Sequence, residues 1–230
     1  MGAKTTTNPD IERILGLMAL ATGDEKHEPS AYSTLDVLWV LYDRVLRYDP
    51  CSPRWEGRDR FVLSKGHGPL AFYAILADKG FFPADELRRF ERWEGILGAH
   101  PDRNQVPGAE VSTGSLGHGL PMAIGMALAL RAKGCGARVF ALVGDGESNE
   151  GTIWESALLA GNQRLANLTA IFVNNHTSSN DLGDLAAKLA AFGWSAATVN
   201  GRDHAQIEAA LRATDPERPS AVVAMVEPRR

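Results

Sequence analysis

Three polar signatures interrupt apolar runs in this sequence. Ser64-Lys65-Gly66-His67-Gly68 follows "FVL", Gly144-Asp145-Gly146 follows "FALV", and Asn174-Asn175 follows "AIFV". Each is ordinary alone. Gly-Asp-Gly suits a plain turn, because glycine tolerates positive φ and aspartate caps the next segment; Asn-Asn suits the end of a strand. The spacing adds meaning. Residues 147–173 separate Gly146 from Asn174, room for one helix and the next strand. Asp145 and Asn175 would then lie side by side at the tips of neighbouring strands. A carboxylate and an amide carbonyl are what Mg²⁺ takes from protein when phosphates supply its other oxygens. A helix starting near Asn149 would aim its first amides at the same place, and Gly146 would let a diphosphate approach the backbone.

Such a site needs strands that end together. The sequence reads as alternation: a helix through "STLDVLWVLYDRVL" with Leu35, Leu38, Trp39, Tyr42, Val45 and Leu46 on one face and Ser33 as N-cap; the strand "RFVLS"; a helix through "PLAFYAILADKG" ended by Gly80; the helix "LPMAIGMALALRAKG"; the strand "RVFALV". Then come "TIWESALLAGNQR" (helix), "LTAIFV" (strand), "LGDLAAKLAAFG" (helix), "WSAATV" (strand), "DHAQIEAALRATD" (helix) and "SAVVAMV" (strand). Strands that are continuous apolar runs, alternating with helices, predict an α/β fold with a parallel sheet covered on both faces. Ligands of such sheets sit at the carboxyl ends of the strands. There are no repeats, and residues 1–230 read as one domain.

Composition sets bounds. A net charge of −4 gives no reason to expect nucleic acid or an anionic membrane as partner. No apolar run reaches the roughly 18 residues of a membrane span. Cys51 and Cys135 make no disulfide framework, and a cytoplasmic setting is expected. Gly2 and Thr6 fit a loose myristoylation pattern that short sequences match by chance.

The longer motifs carry a resemblance. Gly-Asp-Gly followed at this distance by Asn-Asn resembles the thiamine diphosphate fingerprint. "DRFVLSKGHGPLAFYAIL", "LGAHP", "VSTGSLGHGLPMAIGMAL" and "GDGESNEGTIWESALLAGNQRLANL" resemble the N-terminal, diphosphate-binding domain of transketolases, most closely those split into two polypeptides. The likeness runs from about residue 10 to 226. It implies Mg²⁺ held by the side chains of Asp145 and Asn175 and the backbone carbonyl of Thr177. It implies thiamine diphosphate contacted by His67, Gly114, Leu116, Gly144, Asp145, Gly146, Glu147 and Asn175. It makes His27, His67 and His100 the histidines of the substrate channel. Glu150 and Glu155 match interface carboxylates of a proton relay. Plainer roles stand beside these: the histidines could be loop residues, and Glu150 a first-turn carboxylate favoured by the helix dipole. His118 stands where the family commonly has glutamine and is given no catalytic role.

The resemblance also implies a missing half. The glutamate that hydrogen-bonds the cofactor's aminopyrimidine ring belongs to a second, pyrimidine-binding domain, and nothing here matches it. The expectation is therefore the N-terminal subunit of a split transketolase, active with a pyrimidine-domain partner as an α₂β₂ assembly. It would move a two-carbon ketol unit from a ketose (phosphate) donor to an aldehyde acceptor. The α subunit of a thiamine-dependent 2-oxo acid dehydrogenase and a non-catalytic cofactor-binding subunit are the alternatives. Glu28-Pro29 replaces the family's Pro-Gly, the loop after Asn175 is short, and no "KGKG"-type segment precedes the end at "MVEPRR". All three departures fall where the family closes around substrate, so an unusual acceptor is expected.

Overall fold

The structure, a computed structural model, describes residues 8–21 and 28–227. His27 and the Gly2/Thr6 pattern lie outside them. Among the described residues five parallel strands form the sheet: β1 (Arg60–Leu63), β2 (Val139–Gly144), β3 (Leu168–Asn174), β4 (Ser195–Asn200) and β5 (Ser220–Met225), in the order β1-β2-β3-β5-β4. The helices are α1 (Pro9–Met18), α2 (Glu28–Val40), α3 (Leu70–Asp78), α4 (Gly119–Ala132), α5 (Gly151–Asn162), α6 (Leu185–Ala191) and α7 (His204–Arg212). Among the described residues, no helix is long and apolar enough to cross a membrane.

Alternate residues of a strand face opposite sides of a sheet, and here each side has its own core. Phe140, Leu142, Ile171, Val173 and Val222 pack with α1, α2, α3 and α7. Val139, Ala141, Val143, Ala170, Phe172 and Val223 pack with α4, α5 and α6. Central strands are therefore apolar at nearly every position, with only Thr169 of β3 and Ser220 of β5 as buried polar residues within them, which is why they read as nearly unbroken runs. The two edge strands differ: Phe61 to Leu63 of β1 are buried, whereas Ala197, Thr198 and Asn200 of β4 are exposed.

Local chemistry shifts several boundaries. Ser33 does not cap α2: the helix already begins at Glu28, and the Ser33 hydroxyl donates to the Ser30 carbonyl at 2.8 Å, a bond a serine makes inside a helix. The helix also does not run on regularly to Leu46. It widens into a π-turn over Leu41–Val45, where the Leu46 amide reaches back to the Leu41 carbonyl at 2.8 Å. α1 is absent from the alternation read in the sequence, although its start is conventional, with Asn8 accepting from the Asp10 amide and Pro9 in the first turn. α6 starts at Leu185 rather than Leu182, because Gly183 takes a φ of +54° and Asp184 caps the next turn. Between β2 and α5 a short 3₁₀ turn, Gly146–Asn149, takes the place of the expected helix start, and Glu150 is the N-cap.

One polar cluster ties the helices of the first core together. Asp36 of α2 accepts from Arg202 at 2.6 Å and sits 2.9 Å from the His204 ring of α7. Burial pushes the Asp36 carboxyl up, but bonds from His204 and Arg202 outweigh it and hold the group below its usual range.

Candidate functional site

The carboxyl ends of β1, β2 and β3 open into a cavity of about 420 Å³. Its lining includes Pro29, Ser30 and Ser33 of α2, Lys65 and His67 after β1, Leu116, Gly144 to Glu147 after β2, and Asn175, Thr177 and Ser179 after β3.

Asp145 comes directly after β2, and its amide donates to the Val173 carbonyl of β3 at 3.1 Å. The side chain is 4% exposed and fully engaged. Oδ1 accepts from the Gly146 amide (2.7 Å) and the Thr177 hydroxyl (3.0 Å); Oδ2 accepts from the Thr177 and Ser178 amides (2.7 and 3.2 Å). The Asn175 carboxamide end stands 3.1 Å from both carboxylate oxygens. With its nitrogen there, the amide donates to Asp145. With its oxygen there, acceptors face acceptors, an arrangement that a cation between them resolves. The residues present thus fit a hard divalent ion: one carboxylate, one carboxamide and a neighbouring threonine. Among the described residues no three His, Cys, Asp or Glu side chains converge on such a point, so bound phosphate oxygens would have to complete the shell. Gly146 has open space where a side chain would start.

Glu147 lines the cavity, but its carboxylate is turned into the protein. Oε1 accepts from the Ser64 hydroxyl (2.5 Å) and the Gly117 amide (2.9 Å), and Oε2 from the Gly144 amide (3.2 Å). It braces the ends of β1 and β2 against the glycine-rich loop before α4. Burial raises its pKa, while the bonds from Ser64, Gly117 and Gly144 pull the other way. Glu147→Ala strands three buried donors and is expected to cost about 3 kcal/mol, read from urea unfolding midpoints. Burial also sets the sign of a pH effect. The folded chain holds the Glu147 proton more tightly than the unfolded chain, so this group withdraws stability as pH rises from 4.5 through its raised folded value. The alanine variant should lack that slope.

Close backbone approach brings the glycine-rich segments together. A Cβ on Gly66 would stand 2.6 Å from the Gly114 amide, and one on Gly119 would collide with Ser64 Cα. Gly114 (φ +155°) leaves room for the His100 ring, which a Cβ there would meet at 2.8 Å. His67 faces the cavity directly, whereas His100 is exposed beside Gly114. His118 is the N-cap residue of α4 and lies at the surface.

Glu150 and Glu155 do not line the cavity. Both are exposed, Glu150 as the N-cap of α5 and Glu155 within it, near Leu158 and Leu159, which are 49% and 47% exposed. Trp154 of the same helix is half-buried: its indole N–H donates to the Ser148 carbonyl at 2.9 Å and its ring meets Phe192. Sequence reasoning gave no ligand or catalytic role to Ser30, Ser33, Lys65, Asn149 and Ser179, which also line the cavity. The Lys65 ammonium donates to the carbonyl and hydroxyl oxygens of Ser30, fastening α2 to the end of β1. Its place inside "SKGHG" was the available signal.

Fold and site define a class: a parallel α/β domain whose adjoining strand tips carry an aspartate and an asparagine over a ligand cavity. A family model described as "Transketolase, thiamine diphosphate binding domain" matches residues 5–226, and the chain belongs to the transketolase family as that domain. The chain is 47% identical to "Ferredoxin fas2" of Rhodococcoides fascians over 224 residues, covering 96% of this chain and 73% of that protein. It is 40% identical to the 6-deoxy-6-sulfo-D-fructose transketolase subunit SqwG of Clostridium sp. (strain MSTE9), over 80% of this chain and 70% of that protein. Transketolase from Leishmania mexicana superimposes with a TM-score of 0.80 at 28% identity over 94% of this chain. The chain spans 36% of that structure's length. These matches favour transketolase over the 2-oxo acid dehydrogenase alternative.

Proposed function

We propose that this chain is the diphosphate-binding subunit of a two-chain transketolase that moves a two-carbon ketol unit from a ketose donor to an aldehyde acceptor. The observation that carries this is the meeting of Asp145, Asn175 and Thr177 at the mouth of a cavity that His67 also lines. In this reading Asp145 and Asn175, with the Thr177 carbonyl, hold Mg²⁺. Gly146 and His67 meet the diphosphate, and Gly114 and Leu116 meet the aminopyrimidine end. Thiamine diphosphate, when bound, supplies the carbanion chemistry; the chain binds and orients it. His67 and His100 position substrate and handle protons in the channel, with His27 as a third member. Glu150 and Glu155 belong to the interface of an α₂β₂ assembly, which their exposure on α5 suits. Free Cys51 and Cys135 suit a reducing cytoplasm. The name of the Rhodococcoides relative is not extended to this chain: a plant-type iron–sulfur centre takes four cysteines, and these 230 residues hold two. The test is ketol transfer by the chain reconstituted with a pyrimidine-domain subunit; release of CO₂ from a 2-oxo acid without transfer would refute the assignment.

In that reconstituted enzyme, His67→Ala and His100→Ala are each expected to lower kcat by about 10²-fold or more, the range for a lost acid–base or positioning group. Cofactor affinity should fall further in the first, because His67 lines the cavity and His100 stands behind Gly114. Near-normal turnover in both variants would make them plain loop residues.

A further inference from the structure

Asn149 lies where the cofactor cavity meets a second, more apolar one of about 470 Å³ under Trp154 and Phe192, and it lines both. Its side chain bridges two segments. Nδ2 donates to the Gly146 carbonyl and to the Ser178 hydroxyl, both at 3.0 Å. Oδ1 accepts from Asn180 Nδ2 at 2.8 Å. The Ser178 hydroxyl donates its own proton to the Asn180 carbonyl at 2.9 Å. One carboxamide thus fastens the turn that carries Asp145 to the loop that carries Asn175 and Thr177.

That loop needs a fastener. Residues 175–184 have no regular structure, His176 sits at φ +60°, and Thr177 and Asn180 are exposed. Ordering such a segment costs about 1–2 kcal/mol of backbone entropy per residue when it happens on binding. A loop already held over Asp145 has met that cost in folding, and its ligand binds correspondingly tighter.

We propose that Asn149 and Asn180 form a clasp that presets the metal loop: they are positioning residues that fix Thr177 and Ser178 on the Asp145 carboxylate and so set the affinity for Mg²⁺ and diphosphate. The proposal rests on the metal–diphosphate reading of the cavity. It adds two side chains that act through other groups, neither of them a ligand.

The test uses the full chain and its Asn149→Ala, Asn180→Ala and double variants. Native-state amide exchange reads the loop directly. Calorimetric titration with Mg²⁺ and inorganic pyrophosphate reads the diphosphate end of the site. In each single variant the Thr177 and Ser178 amides should exchange about tenfold faster or more, while α5 amides keep their protection. Affinity for magnesium pyrophosphate should fall about 5- to 30-fold, the size of shift expected when the binding-competent state drops to a minor population. The double variant should be little worse than Asn149→Ala, because that substitution already removes the bond to the Asn180 side chain. Asn180 is exposed, so its variant keeps the experiment sound should Asn149→Ala fold poorly. Unchanged exchange at Thr177 and Ser178, or losses that simply multiply in the double variant, would overturn the clasp. A wild-type chain that takes up no magnesium pyrophosphate would overturn the reading of the cavity instead, with the exchange data still deciding whether the clasp holds the loop.

Discussion

Asp145→Ala is expected to abolish productive binding of thiamine diphosphate and leave the fold intact. The carboxylate is the only fully charged oxygen donor proposed for Mg²⁺, so without it the ion has an amide and a carbonyl to set against its double charge. Losing an outer-shell partner of a metal ligand already costs about 10–100-fold in affinity, and losing the anionic ligand itself should cost more. A second effect adds to the first. Thr177 and Ser178 direct their amides at the same carboxylate, so the variant also releases the loop that brings Asn175 into place. The fold should survive because Asp145 stands past the end of β2, beyond both apolar cores. Calorimetry with Mg²⁺, thiamine diphosphate and the pyrimidine-domain subunit present measures the loss, and far-ultraviolet circular dichroism checks the fold. Unchanged affinity would remove Asp145 from the metal site.

The second large effect is all-or-none. The chain alone should show no ketol transfer at saturating thiamine diphosphate and Mg²⁺, and a pyrimidine-domain subunit should restore it. Everything proposed to touch the cofactor here addresses its diphosphate end or one side of its aminopyrimidine ring. The resemblance places the glutamate that hydrogen-bonds that ring on a pyrimidine-binding domain, in this proposal the partner's. The surface is consistent with a partner: α5 turns Thr152, Glu155, Leu158 and Leu159 outward, and exposed Pro121 and Gly125 lie on α4, which packs beside α5. Apolar side chains left together at a surface usually mark an interface, and symmetric assemblies are the rule among oligomers. Light scattering on the active mixture should give a mass near two copies of each subunit. Full activity from the chain alone would defeat the two-chain proposal.

How far the sequence could be read depended on the range of each interaction. Strands buried on both faces betray themselves by composition, so β1, β2, β3 and β5 were legible. β4 was legible only as a strand, since nothing in "WSAATV" says that it lies at the edge. Asp145 and Asn175 could be paired because a helix and a strand have known lengths. α1 went unread although Asn8-Pro9-Asp10 is a good helix start, because the alternation of strands and helices begins further along the chain. Serine often caps, and only the start of α2 at Glu28 reveals Ser33 as an interior residue. Glu147 lines the cavity, as its place in the motif suggests, but the bonds its carboxylate accepts from Ser64, Gly117 and Gly144 are not legible there. Lys65 with Ser30, and Asn149 with Asn180, are contacts between side chains some thirty residues apart, which no local pattern encodes.

The strand order has a consequence for how the protein is made. β5, the final strand of the sheet, is an interior one: it pairs with β3 on one side and β4 on the other. Just past it, the Val226 amide donates to the Asn174 carbonyl at 2.8 Å, one residue from Asn175. On the ribosome, β3 must therefore wait with one edge bare, and β4 has no strand to pair with, until residues 220–226 have left the exit tunnel. Synthesis at about 5–20 residues per second makes that a delay of seconds. During it an apolar strand edge is open to other chains, and the Asn174 carbonyl lacks the Val226 amide. The sheet is closed by β5, and the corner proposed to hold the metal borders the last strand to arrive.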